Sequence, residues 1–434
     1  MARATSSPLP PGREDSPKRQ LESMMMSHGY DPQKASGAIK APLYATSTFA
    51  FPNAETGKAR FAAAHGVEGA EPGAVYSRLG HPGLELAEER LRLWDDAEAC
   101  AIFHSGMSAI STSLLSYLKP GDVLLFNGPL YGGTDHFIRH YLPELGIHTL
   151  EFGPNEPESA IRLRLRRNGL QSRVKMIFVE TPANPTNELT DLAACRALAD
   201  QLSRPEQRVL LAVDNTFLGP MWQHPLQHGA DLVLYSATKY IGGHSDLIAG
   251  AASGSAAVLQ PIKTLRVYLG TAADAWVSWL LLRSLETLSV RMKRQAESAA
   301  VVAEFLRQHE DVVQVRYLGF LKPTDGDAYT TYRKQCEGPG AMISFYIQGA
   351  EEEAFRFLNA LDLIRLAVSL GGTESLAEHP ATMTHSGVDP DVRERLGIHP
   401  NLIRLSIGLE HPQDLIADLE LGFAAVRQQL VISR

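Results

Sequence analysis

The chain has 434 residues, 44% hydrophobic and 21% charged, with a formal net charge of −8. That length allows roughly two or three domains around a large core, and the acidic balance lacks the basic surplus of a nucleic-acid footprint. Its three cysteines, Cys100, Cys195 and Cys336, have no CxxC spacing; they exclude a disulfide framework and a zinc motif and fit a reduced, cytoplasmic setting.

Residues 1–20, MARATSSPLPPGREDSPKRQ, lack an apolar stretch of signal-peptide length and carry an acidic pair unsuited to a transit peptide, so a disordered arm is expected. No run of about 18 apolar residues occurs, which predicts no transmembrane helix. The Pro-punctuated IKAPLYATSTFAFPNAE reads as an extended strap. GLELAEERLRLWDDAEAC spaces Leu84, Leu86, Leu91 and Leu93 among charges and predicts an amphipathic helix. Four apolar runs read as buried strands: VLLFN (123–127), VKMIFVE (174–180), VLLAVDN (209–215) and DLVLYSA (231–237). Between them DLAACRALADQLS reads as a helix capped by Asp191. Strands alternating with helices predict an α/β domain around a mostly parallel sheet. One long helix is expected over AWVSWLLLRSLETLSVRMKRQAESAAVVAEFLRQH, its first half core-facing and its second more solvated. Beyond it, strands at AMISFYI, LIRLAVSL and LIRLSIG and helices at EEEAFRFLNAL and PQDLIADLELGFAAVRQQL predict a smaller α/β domain. The expected division is arm and strap over 1–78, a large domain over 79–284 and a small domain over 285–434.

In open parallel sheets, ligands bind where strands end, and these ends are loaded. Glu180 closes one run and leads into TPANPTN with Asn184; Asp214 and Asn215 close the next; Ser236, Thr238 and Lys239 follow the fourth. GPLYGGTDHF presents Tyr131, and FHSGMSAI sets Gly106 and Met107 at a helix start. Singly each has a bland reading: a turn aspartate, an aromatic plug, an ordinary N-cap, a backbone-bonded His244, a solvated lysine. Together they meet the needs of pyridoxal phosphate, which takes a lysine for its aldehyde and a carboxylate beside its pyridine nitrogen. Lys239 and Asp214 suit those tasks, Asn184 suits the ring oxygen and Tyr131 the ring face. Gly106, Met107, Ser236 and Thr238 offer the N–H and hydroxyl donors that a phosphate wants.

DNTFLGPMWQHPLQHGADLVLYSATKYIGGHSDLIAG resembles the signature of the Cys/Met-metabolism pyridoxal-phosphate enzymes, the family of cystathionine γ-synthase, cystathionine γ-lyase and methionine γ-lyase. The likeness runs from about residue 37 to about 428 and includes YSRLGHP, SGMSAI, LYGGTDHF, ETPANPTN, LAVSLGGTESLAEHPATMTH and LIRLSIGLEHPQDLIADL. It implies an aspartate-aminotransferase-like fold of type I, with a mostly parallel seven-stranded sheet and a smaller C-terminal α/β domain. It also implies a homotetramer of two active dimers. Lys239 matches the lysine that holds the cofactor, Asp214 the carboxylate at the ring nitrogen and Tyr131 the stacking tyrosine, also a candidate for proton transfer. Tyr76 and Arg78 match a pair that reaches the phosphate from a neighbouring subunit. Arg404, helped by Ser369, matches the clamp on the substrate carboxylate, for which a guanidinium fork is suited. No metal and no nucleic acid or membrane partner is implied; the partner is a small amino acid.

Four departures stand out: His81 for the usual asparagine, Gly133 where methionine γ-lyases resemble one another in having cysteine, Val267 where they tend to have aspartate, and no proline in LGTAADAWVSW. Val368, beside Ser369, replaces the glutamate of relatives that handle cystathionine and suits a short apolar tail, unless it is simply a packed strand residue. The function expected is γ-elimination from methionine or a related sulfur amino acid, giving 2-oxobutyrate, ammonia and a thiol. The alternatives are γ-replacement on an O-acylhomoserine, cystathionine γ-lyase activity, or a non-catalytic paralogue, the last opposed by intact Lys239, Asp214, Tyr131 and Arg404.

Overall fold

The computed structural model describes residues 19–432 except 65, 68, 154 and 155. The expected arm lies outside the described residues but for its last two positions. Seven strands form the first sheet: β1 (Ala99–Phe103), β2 (Val123–Asn127), β3 (His148–Phe152), β4 (Val174–Glu180), β5 (Leu210–Asp214), β6 (Leu232–Tyr235) and β7 (Gly250–Gly254). Their order is β1-β7-β6-β5-β4-β2-β3. β7 runs antiparallel to β1 and β6, and the other pairs are parallel. The central strands β2, β5 and β6 are buried end to end, as a parallel sheet covered on both faces requires.

The second sheet joins β8 (Val312–Arg316), β9 (Met342–Ile347), β10 (Arg365–Leu366), β11 (Leu376–Glu378) and β12 (Leu402–Ser406) in the order β10-β11-β12-β9-β8. It is antiparallel except for β10 against β11.

Eight helices matter for the site and its support: α1 (Pro82–Leu91), α2 (Gly106–Tyr117), α3 (Leu192–Leu202), α4 (Ala256–Leu269), α5 (Ala275–Leu285), α6 (Leu288–Gln308), α7 (Glu351–Asn359) and α8 (Pro412–Ile432). α1 buries Leu84, Leu86 and Leu91 as the spacing predicts. Asp191 caps α3 by accepting from Ala193 N and Ala194 N at 2.8 and 3.1 Å. Over the second sheet, Phe345 of β9, Phe357 of α7 and Phe423 of α8 form an aromatic core, with ring centroids 4.7 to 6.4 Å apart.

Two sequence expectations are corrected. The single long helix is two, α5 and α6, separated at Glu286 and Thr287. Arg291 reaches back across the break to Ser284 O (3.1 Å) and Thr287 Oγ1 (3.2 Å), and Ser284 O also accepts from Thr287 N at 3.2 Å in a tight turn. Both helices are amphipathic: α5 buries Leu281, Leu282 and Leu285 and exposes Trp276, and α6 buries Leu288, Met292, Ala299, Val302 and Leu306 and exposes Val290 and Val301. The strand expected at LIRLAVSL is only Arg365–Leu366; the chain then turns, and Ser369 adopts φ 98°.

Candidate active site

β4 and β5 end level with each other, Glu180 opposite Asp214. Both carboxylates are buried. Asp214 Oδ1 accepts from Thr216 N at 3.0 Å. The Glu180 carboxylate accepts from two backbone N–H groups, Tyr131 N at 2.8 Å and Asn184 N at 3.0 Å. Burial raises the pKa of both acids, and the neighbouring Asp214 charge adds to the effect on Glu180, which reaches about 8. One side chain therefore ties the loop that presents Tyr131 to the loop that presents Asn184.

β6 ends in the turn that carries Lys239. Lys239 N donates to Ser236 O at 3.1 Å, and Nζ donates to Ser369 Oγ at 2.7 Å. Burial, followed by the charge of Arg404, lowers its pKa to about 8, so its neutral, nucleophilic form is accessible near neutrality. The following Gly-Gly pair is a matter of space. At Gly243, φ is +66° and a Cβ would lie 1.8 Å from Arg291 Nη1. Arg291 clasps the turn through Tyr240 O at 2.8 Å; the sequence pattern gave no sign of this role, because Arg291 lies 52 residues after Lys239 on α6. His244 Nδ1 lies 2.8 Å from Gly242 O, the backbone role expected of it in the bland reading.

Beside Lys239, the N-terminus of α2 is capped by Ser105, whose Oγ accepts from Ser108 N at 3.0 Å. The N–H groups of Gly106 and Met107 have no helical acceptor at this end. Gly106 is pressed against the turn after β6: a Cβ there would sit 2.8 Å from Ser236 Cβ. Thr216, missed in the sequence, accepts from Ser236 N at 2.8 Å and so fixes that residue. Thr238 Oγ1 accepts from Ala249 N at 2.9 Å, leaving its hydroxyl hydrogen for Ala249 O at 3.2 Å or for an anion. A cradle of backbone N–H and hydroxyl donors at a helix N-terminus fits a phosphate, and with Lys239 and Asp214 the set fits pyridoxal phosphate.

The opposite wall comes from the second sheet. Arg404 is buried on β12, with Nη1 2.9 Å from Asn184 Oδ1 and 2.7 Å from Glu378 Oε1 and Nη2 2.7 Å from Ser369 O. Ser369 thus meets Lys239 through its side chain and Arg404 through its carbonyl. Its φ of 98° is strained for a residue with a side chain. Val368 is 53% exposed, which rules out the packed-strand alternative within the described chain. Tyr131 is 44% exposed, so its ring is available to a ligand.

Tyr76 and Arg78 make other contacts. Tyr76 pairs with Thr48 of the strap, and Arg78 Nη1 donates to Val267 O at 2.9 Å while its guanidinium lies 5.8 Å from the Tyr76 ring centroid. Val267 thus engages the arginine through its backbone carbonyl, a contact that does not depend on its side chain. His81 caps α1, its Nδ1 accepting from Leu84 N at 3.2 Å, the task an asparagine performs elsewhere; burial lowers its pKa. Asp274 caps α5, accepting from Val277 N at 2.8 Å, so the helix starts there without a proline. At Gly133 a Cβ would come within 2.8 Å of the Tyr131 ring, so a cysteine there requires that ring to move.

Size alone does not mark the site. A wide cleft of about 1060 Å³ lies elsewhere, lined by Arg164, Arg316 and Arg395 among others. Each of these arginines already faces a carboxylate, Glu156, Glu188 and Glu151 respectively.

Comparison with known proteins gives a consistent result. The model of the family described as Cys/Met metabolism PLP-dependent enzyme matches residues 22–424. The chain is 39% identical over 400 residues to L-methionine γ-lyase from Pseudomonas putida, covering 92% of this chain and 96% of that one. It is 35% identical to cystathionine γ-lyase from Homo sapiens, covering 92% of each. It superposes on cystathionine γ-synthase from Xanthomonas oryzae pv. oryzae, solved with aminoacrylate and cysteine, with a TM-score of 0.84 and 32% identity over 95% of this chain and all of that one.

Proposed function

Because the chain belongs to the Cys/Met metabolism PLP-dependent enzyme family, we propose that it is a carbon–sulfur lyase: it takes L-methionine or a related sulfur amino acid, with water, to 2-oxobutyrate, ammonia and a thiol. The observation that carries the choice of substrate is Val368, half-exposed and uncharged next to Ser369. A short thioether tail suits such a wall, and the distal ammonium of cystathionine finds no partner there. L-methionine γ-lyases among the similar proteins, at 37 to 39% identity, support the same reading.

Bound pyridoxal phosphate supplies an electron sink for negative charge developing on the substrate carbon skeleton. In this proposal Lys239 holds the cofactor and then moves protons at Cα and Cβ, its lowered pKa suiting the task. Asp214 keeps the proton on the ring nitrogen and Asn184 bonds the ring oxygen. Tyr131 covers the ring and takes part in proton transfer. Gly106, Met107, Ser236 and Thr238 hold the phosphate, and Arg404 with Ser369 holds the substrate carboxylate.

A second reading, γ-replacement on an O-acylhomoserine, draws on Gly133, where a methionine lyase would carry cysteine, and on the superposition with cystathionine γ-synthase. An amino-acid panel scored for 2-oxobutyrate, ammonia and thiol separates the two. If an acylated homoserine condenses with cysteine far faster than methionine is cleaved, the lyase assignment falls.

We further propose a cytoplasmic homotetramer of two active dimers, with Tyr76 and Arg78 serving a neighbour's phosphate. Within one chain they engage Thr48 and Val267, which supports this, as do the exposed apolar Tyr268 (79%) and Trp276. The three cysteines are free, and no helix among the described residues is long and apolar enough to cross a membrane. Mixed oligomers of inactive Arg78→Ala and inactive Lys239→Ala chains should recover part of the activity, since some hybrid sites carry both residues; no recovery in demonstrated mixed oligomers rejects the shared site.

A further inference from the structure

Glu378 of β11 faces Arg404 of β12 across an antiparallel pair. Its Oε1 is 2.7 Å from Arg404 Nη1, with both side chains almost wholly buried. Thr384 Oγ1 donates to the same oxygen at 2.9 Å, and Oε2 has no partner among the described residues.

Donor accounting on the guanidinium shows what remains for a ligand. Arginine has five N–H donors in a fixed plane. The two on Nη1 face Glu378 Oε1 and Asn184 Oδ1, and one on Nη2 meets Ser369 O. Nε has no partner. Nε is itself shut away from solvent, so the second Nη2 hydrogen is the donor left for an incoming carboxylate. An incoming carboxylate therefore meets a cation already matched by an anion. Like charges on two edges of one guanidinium weaken binding by roughly tenfold or more at the effective dielectric of a protein interior.

We infer that Glu378 is a specificity-determining residue for the amino-acid substrate: it fixes the orientation of Arg404 while its charge loosens the grip on the α-carboxylate. The site then holds the α-carboxylate of its substrate more weakly than an unpaired arginine in the same orientation would. This rests on the assignment of Arg404 as the carboxylate clamp.

Acetate, with acetamide as its uncharged counterpart, tests the charge effect by calorimetric titration of the pyridoxal-loaded protein. Glu378→Gln retains an oxygen for Arg404 and Thr384 and removes the charge. Acetate should bind it roughly tenfold more tightly than wild type, acetamide equally, and KM for the amino-acid substrate should fall by more than kcat changes. Glu378→Asp keeps the charge and should stay near the wild-type acetate affinity. Acetate held equally by wild type and Glu378→Gln, while Arg404→Lys weakens both, overturns this inference alone. Acetate binding that Arg404→Lys leaves unchanged overturns the clamp and the inference with it. Tighter acetate binding in both the Gln and Asp variants assigns the effect to shape, not charge. A Gln variant that does not fold beside an Asp variant that does assigns the charge to stability. Either of these last two results also rejects the proposal.

Discussion

At the ends of β4 and β5 two buried carboxylates, Glu180 and Asp214, lie side by side with neither in an ion pair among the described residues. On β11 and β12 a carboxylate and a guanidinium, Glu378 and Arg404, meet at 2.7 Å. Both arrangements are buried, yet the first avoids unbalanced negative charge only by holding protons, and the second balances its charge internally. An unbalanced buried charge is costly, so the first region is complete only when a cationic group joins it, as the ring of the family's cofactor does when protonated. The second is complete without a ligand, which must bind against an existing pair. Chemistry is concentrated where the protein is electrostatically unfinished, and recognition where it is finished.

The largest test breaks the first region. Lys239→Ala should reduce 2-oxobutyrate formation by about 10⁴-fold, and borohydride reduction of wild type followed by peptide mapping should place the pyridoxyl label on Lys239. Label on another lysine rejects the assignment. Next, Arg404→Lys should lower kcat/KM by roughly 10²- to 10³-fold, mostly through KM, because it removes the fork and leaves Glu378 poorly paired. An equal loss in kcat with KM unchanged would instead put Arg404 in the chemical step. Smaller again, Val368→Glu should shift the ratio of specificity constants from methionine toward cystathionine by about tenfold, measured with each substrate alone. No shift means that Val368 does not face the substrate tail.

The two regions also differed in how far the sequence disclosed them. Lys239, Asp214 and Asn184 each follow an apolar run that ends in polar residues, so an α/β pattern was enough to bring them together. β1, β3 and β7 were not legible: GAASG of β7 is built from small residues that disfavour strands. It forms because backbone must approach closely; a Cβ on Gly250 would come within 2.1 Å of Ser105 O. The second wall was legible only as residues, through the family resemblance. That Glu378 pairs with Arg404 is a fact of register between strands 26 residues apart, and that Ser369 joins Lys239 to Arg404 depends on a φ that no pattern announces. Arg291 and Thr216 went unseen because they act on backbone, not on a ligand.

The smallest expected effect concerns pH and tests whether the first region is unfinished in the way described. Glu180 and Asp214 have folded pKa values raised above their usual ones, Glu180 to about 8. The folded protein therefore binds more protons than the unfolded chain from the ordinary carboxylate range up to that value. Stability from the protonated pair is fully present at low pH and is lost as pH rises through about 8. Lys239 has the opposite sign: its pKa is lowered to about 8 from 10.5, so the unfolded chain binds more protons in that interval and stability recovers above it. Other groups titrate too, notably His385, lowered to about 4 by burial, so the informative quantity is a difference. Between pH 5 and 8 the melting temperature of cofactor-free wild type, minus that of cofactor-free Asp214→Asn, should fall by a few degrees. The substitution removes the like charge that burdens Glu180. With cofactor bound, wild type should lose most of this slope, because a protonated ring then balances Asp214. A difference that rises over the same interval would mean that the pair is not held protonated by burial, and the contrast between the two regions would fail at its electrostatic root.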